Sequence, residues 1–402
     1  MNSHLLIYNY VFINLISDTV LLYNSVNGKS VISTNPIFIN LLKHKNIEND
    51  YVIPLNETVL ANQELNSIFE ELEEYCFGQI IKSEFAPLNF KPILDIDGYN
   101  PDIFNENINS LNEDELKNRI FTEVVGKNIM SNFFEVTIHF NISNESLSPF
   151  SKGHKQYPFP IIGKYEEIDV ALVEKFFKQE MPNLNRVNII VGNINEDNIE
   201  RLNILIEFFH KKGKIFLYTL YNNCDKIQDL TLNDSIVYLW ILPNDIESDN
   251  IINGYNLLGV ATNQSDFDKY TQKSDLLLEC YPLHTGNNNQ FCKELMSFDK
   301  KDILSLHLSE KEIFANQNIN SNLFGEITIV PNGSIYSCIN KDPIGSFYSD
   351  ELKDILFNEF LKFKNWFFTR NKINKCNKCI FNFLCPPVTN FEMCLNDMSF
   401  CD

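Results

Sequence analysis

The chain has 402 residues and carries 53 acidic against 33 basic side chains, which gives a formal net charge of −20 at pH 7. Binding to nucleic acid depends on clustered lysine and arginine, so this balance argues against a nucleic-acid partner. An anionic membrane surface is disfavoured for the same reason. With 44% hydrophobic residues, the chain can bury packed cores in two or three domains.

The N-terminal stretch is apolar, but it has no basic segment at its start and is interrupted by Asn9, Asn14, Ser17 and Asp18. This pattern predicts folded strands rather than a signal peptide. No uninterrupted apolar run approaches the roughly eighteen residues of a membrane span. Without an export signal we expect a cytoplasmic protein, and in that reducing compartment clustered cysteines bind metals more often than they form disulfides.

Residues 1–85 are predicted to form a small unit of their own. Its apolar patterns indicate short strands and then helices, at 10–15, 19–23, 37–42 and 65–77. Three short strands followed by helices is a winged-helix-like order. Residues 86–125 carry several turn residues and weak periodicity, which predicts a linker or irregular arm.

From residue 134, short β-branched or aromatic runs alternate with amphipathic helical stretches. The predicted strands are 134–140, 187–191, 215–219, 236–242, 257–261 and 276–280. The predicted helices are 170–178, 197–212 and 264–273. Six βα units imply a parallel sheet, and six suit an open partial barrel better than the eight of a closed one. Residues 126–308 are therefore predicted to be an α/β partial (βα)6 barrel.

Residues 309–402 are predicted to form a further domain. Ser309 and Glu312 fit a capping box at the start of a helix, and a hairpin follows with its turn at 331–333. A helix at 350–364 then leads into a tail that holds five of the ten cysteines.

The tail cysteines have the spacing Cys376-x2-Cys379-x5-Cys385-x8-Cys394-x6-Cys401. A Cys-x2-Cys turn lets two thiolates reach the same metal, and later cysteines can complete the set from returning loops. Four thiolates suit either a [4Fe–4S] cluster or Zn²⁺. Zinc ribbons usually pair two Cys-x2-Cys turns and this tail has one, so the spacing favours iron–sulfur. Zn²⁺, or cysteines that bind no metal, are the alternatives.

The order Gly333-x4-Cys338, then Cys376-x2-Cys379-x5-Cys385 and a final cysteine, resembles the SPASM domain of many radical SAM peptide maturases. Three stretches resemble still more closely the pseudo-radical-SAM proteins of Bacteroidetes peptide-modification systems. They are YPFPIIGKYEEID (157–169), YPLHTGNNNQF (281–291) and LCPPVTNFE (384–392). The resemblance covers residues 130–402 and implies a radical-SAM-like partial barrel followed by a SPASM-like Fe–S domain. Residues 1–85 are similar, more weakly, to the leader-recognition domains of such maturases.

Two cysteines of a full SPASM domain are absent from this chain: one upstream of the Gly-x4-Cys element, and one at the position of Thr389. The resemblance therefore implies a single [4Fe–4S] cluster. Its expected ligands are Cys376, Cys379, Cys385 and Cys401. Cys394 is the alternative fourth ligand, and Cys401 is preferred because the resembling proteins end in a similar element. Cys338 is interpreted as a buried thiol or as a remnant of the missing cluster.

Radical SAM enzymes carry Cys-x3-Cys-x2-Cys after the first barrel strand, where three thiolates leave one iron open for S-adenosylmethionine. The corresponding loop here, NISNESLSPFSKGHK (141–155), contains no cysteine. After the second strand, where such enzymes place Gly-Gly-Glu near the cofactor, this chain has Val191, Gly192 and Asn193. We therefore expect neither a catalytic cluster nor bound S-adenosylmethionine.

Other candidate residues carry weaker signals. His154 and Lys155 lie in a polar loop and are interpreted as solvated, whereas His284 follows a strand at the end where barrel sites are built. Residues 157–160 are a candidate recognition segment, with packing against the barrel as the alternative. The isolated cysteines have no partner at ligand spacing and are interpreted as core or surface thiols: Cys76, Cys224, Cys280 and Cys292.

These features together predict a non-catalytic subunit that pairs with an active radical SAM/SPASM maturase as a heterodimer. The resemblance implies this partner and its substrate, a ribosomally made precursor peptide whose Gly-Gly-type leader the N-terminal unit would bind. Two alternatives stay open: a zinc-stabilised peptide-binding adaptor, and an enzyme that modifies the peptide without S-adenosylmethionine.

Overall fold

The computed structural model describes residues 2–43, 51–85, 87, 126–142, 166–246, 255–273, 277, 279–285, 287–362, 364–395 and 401. Three sequence predictions lie outside these residues: the arm at 86–125 apart from Pro87, the segment 157–160, and the loop with His154 and Lys155. The side chains of Cys224 and Cys394 also lie outside the described part. None of the helices described is both long and apolar enough to cross a bilayer.

The N-terminal unit contains two antiparallel three-stranded sheets, ordered β2-β3-β4 and β5-β1-β6. Its described elements are β1 (Asn2–Ile7), β2 (Val11–Ile16), β3 (Thr19–Asn24), β4 (Ser30–Ser33), α1 (Pro36–Lys43), β5 (Val52–Leu55), α2 (Glu57–Leu60), α3 (Gln63–Glu74) and β6 (Gly78–Ser83). The sequence analysis predicted three strands, whereas the described part of this unit has six. The sheet β5-β1-β6 was missed because β1 pairs with strands far along the chain.

One apolar core joins both sheets of this unit to helices α1 and α3, where the rings of Phe38 and Phe69 meet edge-on. Helix α3 begins at its cap Asn62, whose side chain accepts from the Leu65 amide. The helix ends at Glu74, short of the predicted residue 77. It stops there because Cys76 has a φ of 57° and the Phe77 amide bonds back to the Leu72 carbonyl (2.7 Å).

A nine-stranded sheet forms the centre of the described structure, in the order β12-β11-β10-β9-β8-β7-β13-β14-β15. Its strands are β7 (Glu135–His139), β8 (Arg186–Val191), β9 (Lys214–Leu220), β10 (Ile236–Ile241), β11 (Asn256–Ala261), β12 (Glu279–Pro282), β13 (Glu326–Ile329), β14 (Ser334–Tyr336) and β15 (Gly345–Ser346). Strands β7 to β12 are parallel and each lies beside its neighbour in the chain. Strand β13 runs parallel to β7, while β14 and β15 are antiparallel. The mixed α/β fold with a parallel sheet is confirmed.

Nine further α-helices are described. They are α4 (Val170–Phe176), α5 (Ile199–His210), α6 (Cys224–Ile227), α7 (Gln264–Gln272), α8 (Asn289–Met296), α9 (Lys300–Ser305), α10 (Glu310–Asn318), α11 (Leu352–Lys362) and α12 (Asn390–Leu395). Five of them, α4, α5, α7, α10 and α11, lie within a few residues of predicted positions, while α6, α8, α9 and α12 were not predicted. The capping box of Ser309 and Glu312 opens α10 as predicted. The sixth predicted strand, 276–280, is described only in part; its strand β12 pairs with β11 so that Glu279 lies opposite Leu258, and it continues to Pro282.

The N-terminal unit packs against the tail, which the sequence did not predict. Phe12, Leu21 and Tyr23 from β2 and β3 share an apolar cluster with α9, α10 and the tail segment around Leu384. The hydroxyl of Tyr23 accepts a hydrogen bond from the Leu308 amide (2.7 Å). These contacts join the first strands of the chain to the cysteine-rich segment.

Candidate metal centre

Four tail cysteines line one cavity with a volume of 470 Å³. They are Cys376, Cys379, Cys385 and Cys401, the four residues predicted as ligands. Cationic and apolar side chains complete the lining: Phe298, Lys300, Ile303, Arg370, Lys375, Lys378 and Phe381, together with Asn382 and Glu392. The structure thus brings the four cysteines to one place, and metal binding by them stays a prediction.

Three consecutive turns of the backbone bring the cysteines together. The amide of Cys379 donates to the Cys376 carbonyl (2.9 Å), and the amide of Asn382 donates to the Cys379 carbonyl (3.1 Å). The amide of Cys385 then bonds to the Phe381 carbonyl (2.9 Å). Cys401, near the end of the chain, is bonded to the segment before Cys376, because the Lys375 ammonium donates to the Cys401 carbonyl (2.9 Å).

Two features of the cavity shift the pKa values of the Cys376 and Cys385 thiols in opposite directions. Burial raises the pKa of Cys385 to about 12 and also raises the pKa of Cys376 above its ordinary value. The nearby Arg370 guanidinium opposes this rise at both thiols. A metal or cluster bound here would have to displace the thiol protons, and a fixed positive charge beside the thiolates lowers the cost of doing so.

Arg370 lines the cavity, is buried and donates to three oxygen acceptors. Its Nε atom donates to the Pro386 carbonyl (2.7 Å), and its two terminal nitrogens form a bidentate pair with Glu392 (2.5 and 3.0 Å). It also hydrogen-bonds the Cys376 thiol. Burial alone would lower the pKa of Arg370, but Glu392 raises it overall, so the guanidinium stays charged. This buried pair was not predicted from the sequence, because Arg370 lies in no motif and Glu392, the last residue of the stretch 384–392, was assigned no role.

Glu392 is fixed in turn by the start of helix α12. Its carboxylate accepts from the amide of Thr389 (2.8 Å) and from the Thr389 hydroxyl (3.1 Å), while its own amide donates to that hydroxyl (3.2 Å). Thr389 stands where the resembling SPASM domains carry a cysteine. In this chain the position orients the partner of Arg370.

The cavity supplies four cysteines as a donor set, which suits either a [4Fe–4S] cluster or Zn²⁺. Among the described residues, no three Cys, His, Asp or Glu side chains stand close enough to hold a metal ion as they are placed. The choice between the two metals therefore stays a prediction from the cysteine spacing.

The other candidate residues lie apart from this cavity. Cys338 is buried against α12, where its thiol contacts the Asn390 side chain (3.1 Å), as expected for a packed thiol. His284 follows β12, is buried, and its Nε2 atom hydrogen-bonds the Asn289 side chain. Cys76 is exposed, Cys280 is half-buried and Cys292 is buried.

The loop after the second parallel strand is closed by asparagine side chains. Asn141 accepts from the Gly192 amide (2.8 Å) and donates to the Asn193 carbonyl (2.5 Å). Asn223 donates to the Gly192 carbonyl (3.2 Å), and Asn198 also donates to the Asn193 carbonyl (3.0 Å). We call these three residues, Asn141, Asn198 and Asn223, the asparagine clamp. The backbone of the loop at 192–193 is thus bonded to the protein's own side chains.

Compared with protein-family models and with curated proteins, the chain matches none. Its function is therefore inferred from the cysteine cavity, the order of the sheet and the sequence resemblance described above.

Proposed function

We propose that this chain is a non-catalytic pseudo-radical-SAM subunit that holds one [4Fe–4S] cluster on Cys376, Cys379, Cys385 and Cys401. The observation that carries the proposal is that these four cysteines line one cavity beside a buried arginine. Arg370 places a permanent positive charge beside Cys376 and Cys385, where it opposes the rise in pKa that burial causes. A cluster bound there would link the tail segments and can supply electron transfer.

The order of the large sheet supports the rest of this assignment. Six parallel strands in sequential order, β7 to β12, are the pattern expected of a radical-SAM-like partial (βα)6 barrel. Residues 309–402 would then be the SPASM-like domain and residues 126–308 the barrel. The asparagine clamp supports a barrel without S-adenosylmethionine, since the loop that would face that cofactor is bonded internally.

The proposed partner is an active radical SAM/SPASM maturase, which would act on a ribosomally made precursor peptide in a heterodimer with this chain. The winged-helix-like N-terminal unit would bind the leader by strand addition to a sheet edge. In the described structure, β6 pairs with β1 and has no strand on its other side. A saturable interaction between the leader and the full chain, weakened by substitutions in β6, is the result we expect.

The proposal is tested by metal analysis of anaerobically purified protein. We expect about four irons per chain and a matching amount of acid-labile sulfide. Cys385→Ala should lose most of both, because it removes a ligand from the cavity. Cys76→Ala is the matched control, since Cys76 is an exposed thiol in the N-terminal unit and should leave the iron content unchanged.

Two other outcomes would contradict parts of the proposed function. About one zinc per chain without sulfide would identify the zinc-stabilised adaptor instead. Modification of a precursor peptide by the isolated chain would favour the enzyme that works without S-adenosylmethionine.

A further inference from the structure

A side chain from the N-terminal unit bonds to the loop between Cys379 and Cys385. The Nδ2 atom of Asn14, on β2, donates to the Ile380 carbonyl (2.7 Å) and to the Asn382 side chain (3.0 Å). Asn14 and Asn382 are both buried, with 8% and 2% of their surface exposed. Asn382 also lines the cysteine cavity. A residue near the start of the chain therefore fixes the backbone between two expected ligands.

Apolar contacts and a second hydrogen bond hold the same loop from other directions. The rings of Phe12 and Phe383 meet edge-on with centroids 6.1 Å apart, and Leu384 is buried in the same cluster. From α10, the Asn316 side chain donates to the Phe383 carbonyl (3.0 Å). One side of the loop thus faces the cysteine cavity, and its other side is covered by β2 and α10.

We propose that Asn14 is a positioning residue of the metal centre, and that docking of the N-terminal unit and metal binding stabilise each other. This inference rests on the proposed function. The backbone at 380–382 sets where the Cys379 and Cys385 thiols point, so holding it in place reduces the ordering that metal binding requires. Because such coupling is reciprocal, a metal that orders the loop must also favour docking of the N-terminal unit.

The first test compares iron release to a chelator, under anaerobic conditions, from the full-length protein and its variants. Asn14→Ala should release iron roughly tenfold faster, the lower end of the effect seen when residues supporting metal ligands are replaced. Asn14→Gln keeps the amide donor and should recover part of this loss. Asn62→Ala is the matched control, because Asn62 caps α3 in the same unit. It should release iron at the original rate.

Two further readouts separate positioning from a general loss of stability. The electron paramagnetic resonance spectrum of the reduced protein should change in Asn14→Ala and stay unchanged in Asn62→Ala. Hydrogen exchange of the full chain should show that iron removal speeds exchange at the Val11–Ile16 amides, with those of Asn2–Ile7 unaffected.

Iron release from Asn14→Ala at the original rate, with an unaltered spectrum, would overturn the inference and leave the proposed function standing. A wild-type protein without bound iron would overturn both. The two failures are therefore distinguishable by the iron content measured before the chelator is added.

Discussion

Replacing Arg370 with alanine is expected to destabilise the iron-free protein by about 3–5 kcal/mol, because it leaves the Glu392 carboxylate buried without its partner. Glu392→Ala should cost a similar amount, since the two side chains are only 4% and 2% exposed. The double variant should cost much less than the sum of the two, because no uncompensated charge remains. Urea unfolding of chelator-treated protein measures all three free energies without a contribution from bound metal.

An exposed ion pair provides the matched control for this cycle. Arg201 and Glu167 approach to 2.5 Å, but their side chains are 47% and 30% exposed. Arg201→Ala should therefore change the unfolding free energy by no more than about 1 kcal/mol. Additive losses in the Arg370 and Glu392 variants, or losses as small as that of the control, would contradict the buried pair described here.

Trp366→Ala is the second substitution with a large expected effect, of about 3–5 kcal/mol. The indole is fully buried, lies 5.4 Å from the Phe324 ring and donates from Nε1 to the Glu326 carbonyl (3.1 Å). Its own carbonyl accepts from the Asn320 amide (2.8 Å). Trp366 therefore joins strand β13 to the segment that leads into the cysteine tail, and its replacement by alanine leaves a cavity and removes the hydrogen bond to the Glu326 carbonyl.

A smaller aromatic residue at position 366 separates the contribution of packing from that of the Nε1 hydrogen bond. Trp366→Phe keeps most of the packing and loses the Nε1 hydrogen bond, so it should cost about 1–3 kcal/mol. Phe85→Ala serves as the control, because Phe85 is 80% exposed and its truncation should stay within about 0.5 kcal/mol. Denaturant unfolding of the three variants tests this order, and equal losses for Trp366→Ala and Trp366→Phe would contradict the packing role.

Local sequence patterns were sufficient for the six parallel strands β7 to β12 and for five of the helices, whereas the pairing of β13 with β7 in the same sheet was not predicted. The parallel strands are short apolar runs between amphipathic helices, so each signal lies within a few residues. The N-terminal unit was harder to predict, because β1 pairs with β5 and β6 across more than forty intervening residues. No local window contains the partners of such a strand.

In the cysteine site too, residues close together in the sequence were predicted, and residues that only the fold brings together were missed. Spacing alone grouped Cys376, Cys379 and Cys385, since a short segment can only fold back on itself in a few ways. Arg370 and Glu392 were missed because a single charge carries no signal until the fold places its partner beside it. Asn14 was noted only as a polar interruption of an apolar stretch, and its contacts lie at the other end of the chain.

The contact between Asn14 and Asn382 joins positions 368 residues apart, which has a consequence for synthesis on the ribosome. At roughly 5–20 residues per second, the first strands emerge on the order of 20–70 s before residue 382 is made. The N-terminal unit has a core of its own and can fold during that interval. Its apolar docking face of Phe12, Leu21 and Tyr23 must meanwhile stay uncovered by the tail. Assembly of the cysteine site is therefore a late event, and a nascent chain stalled before the tail would present that face to chaperones.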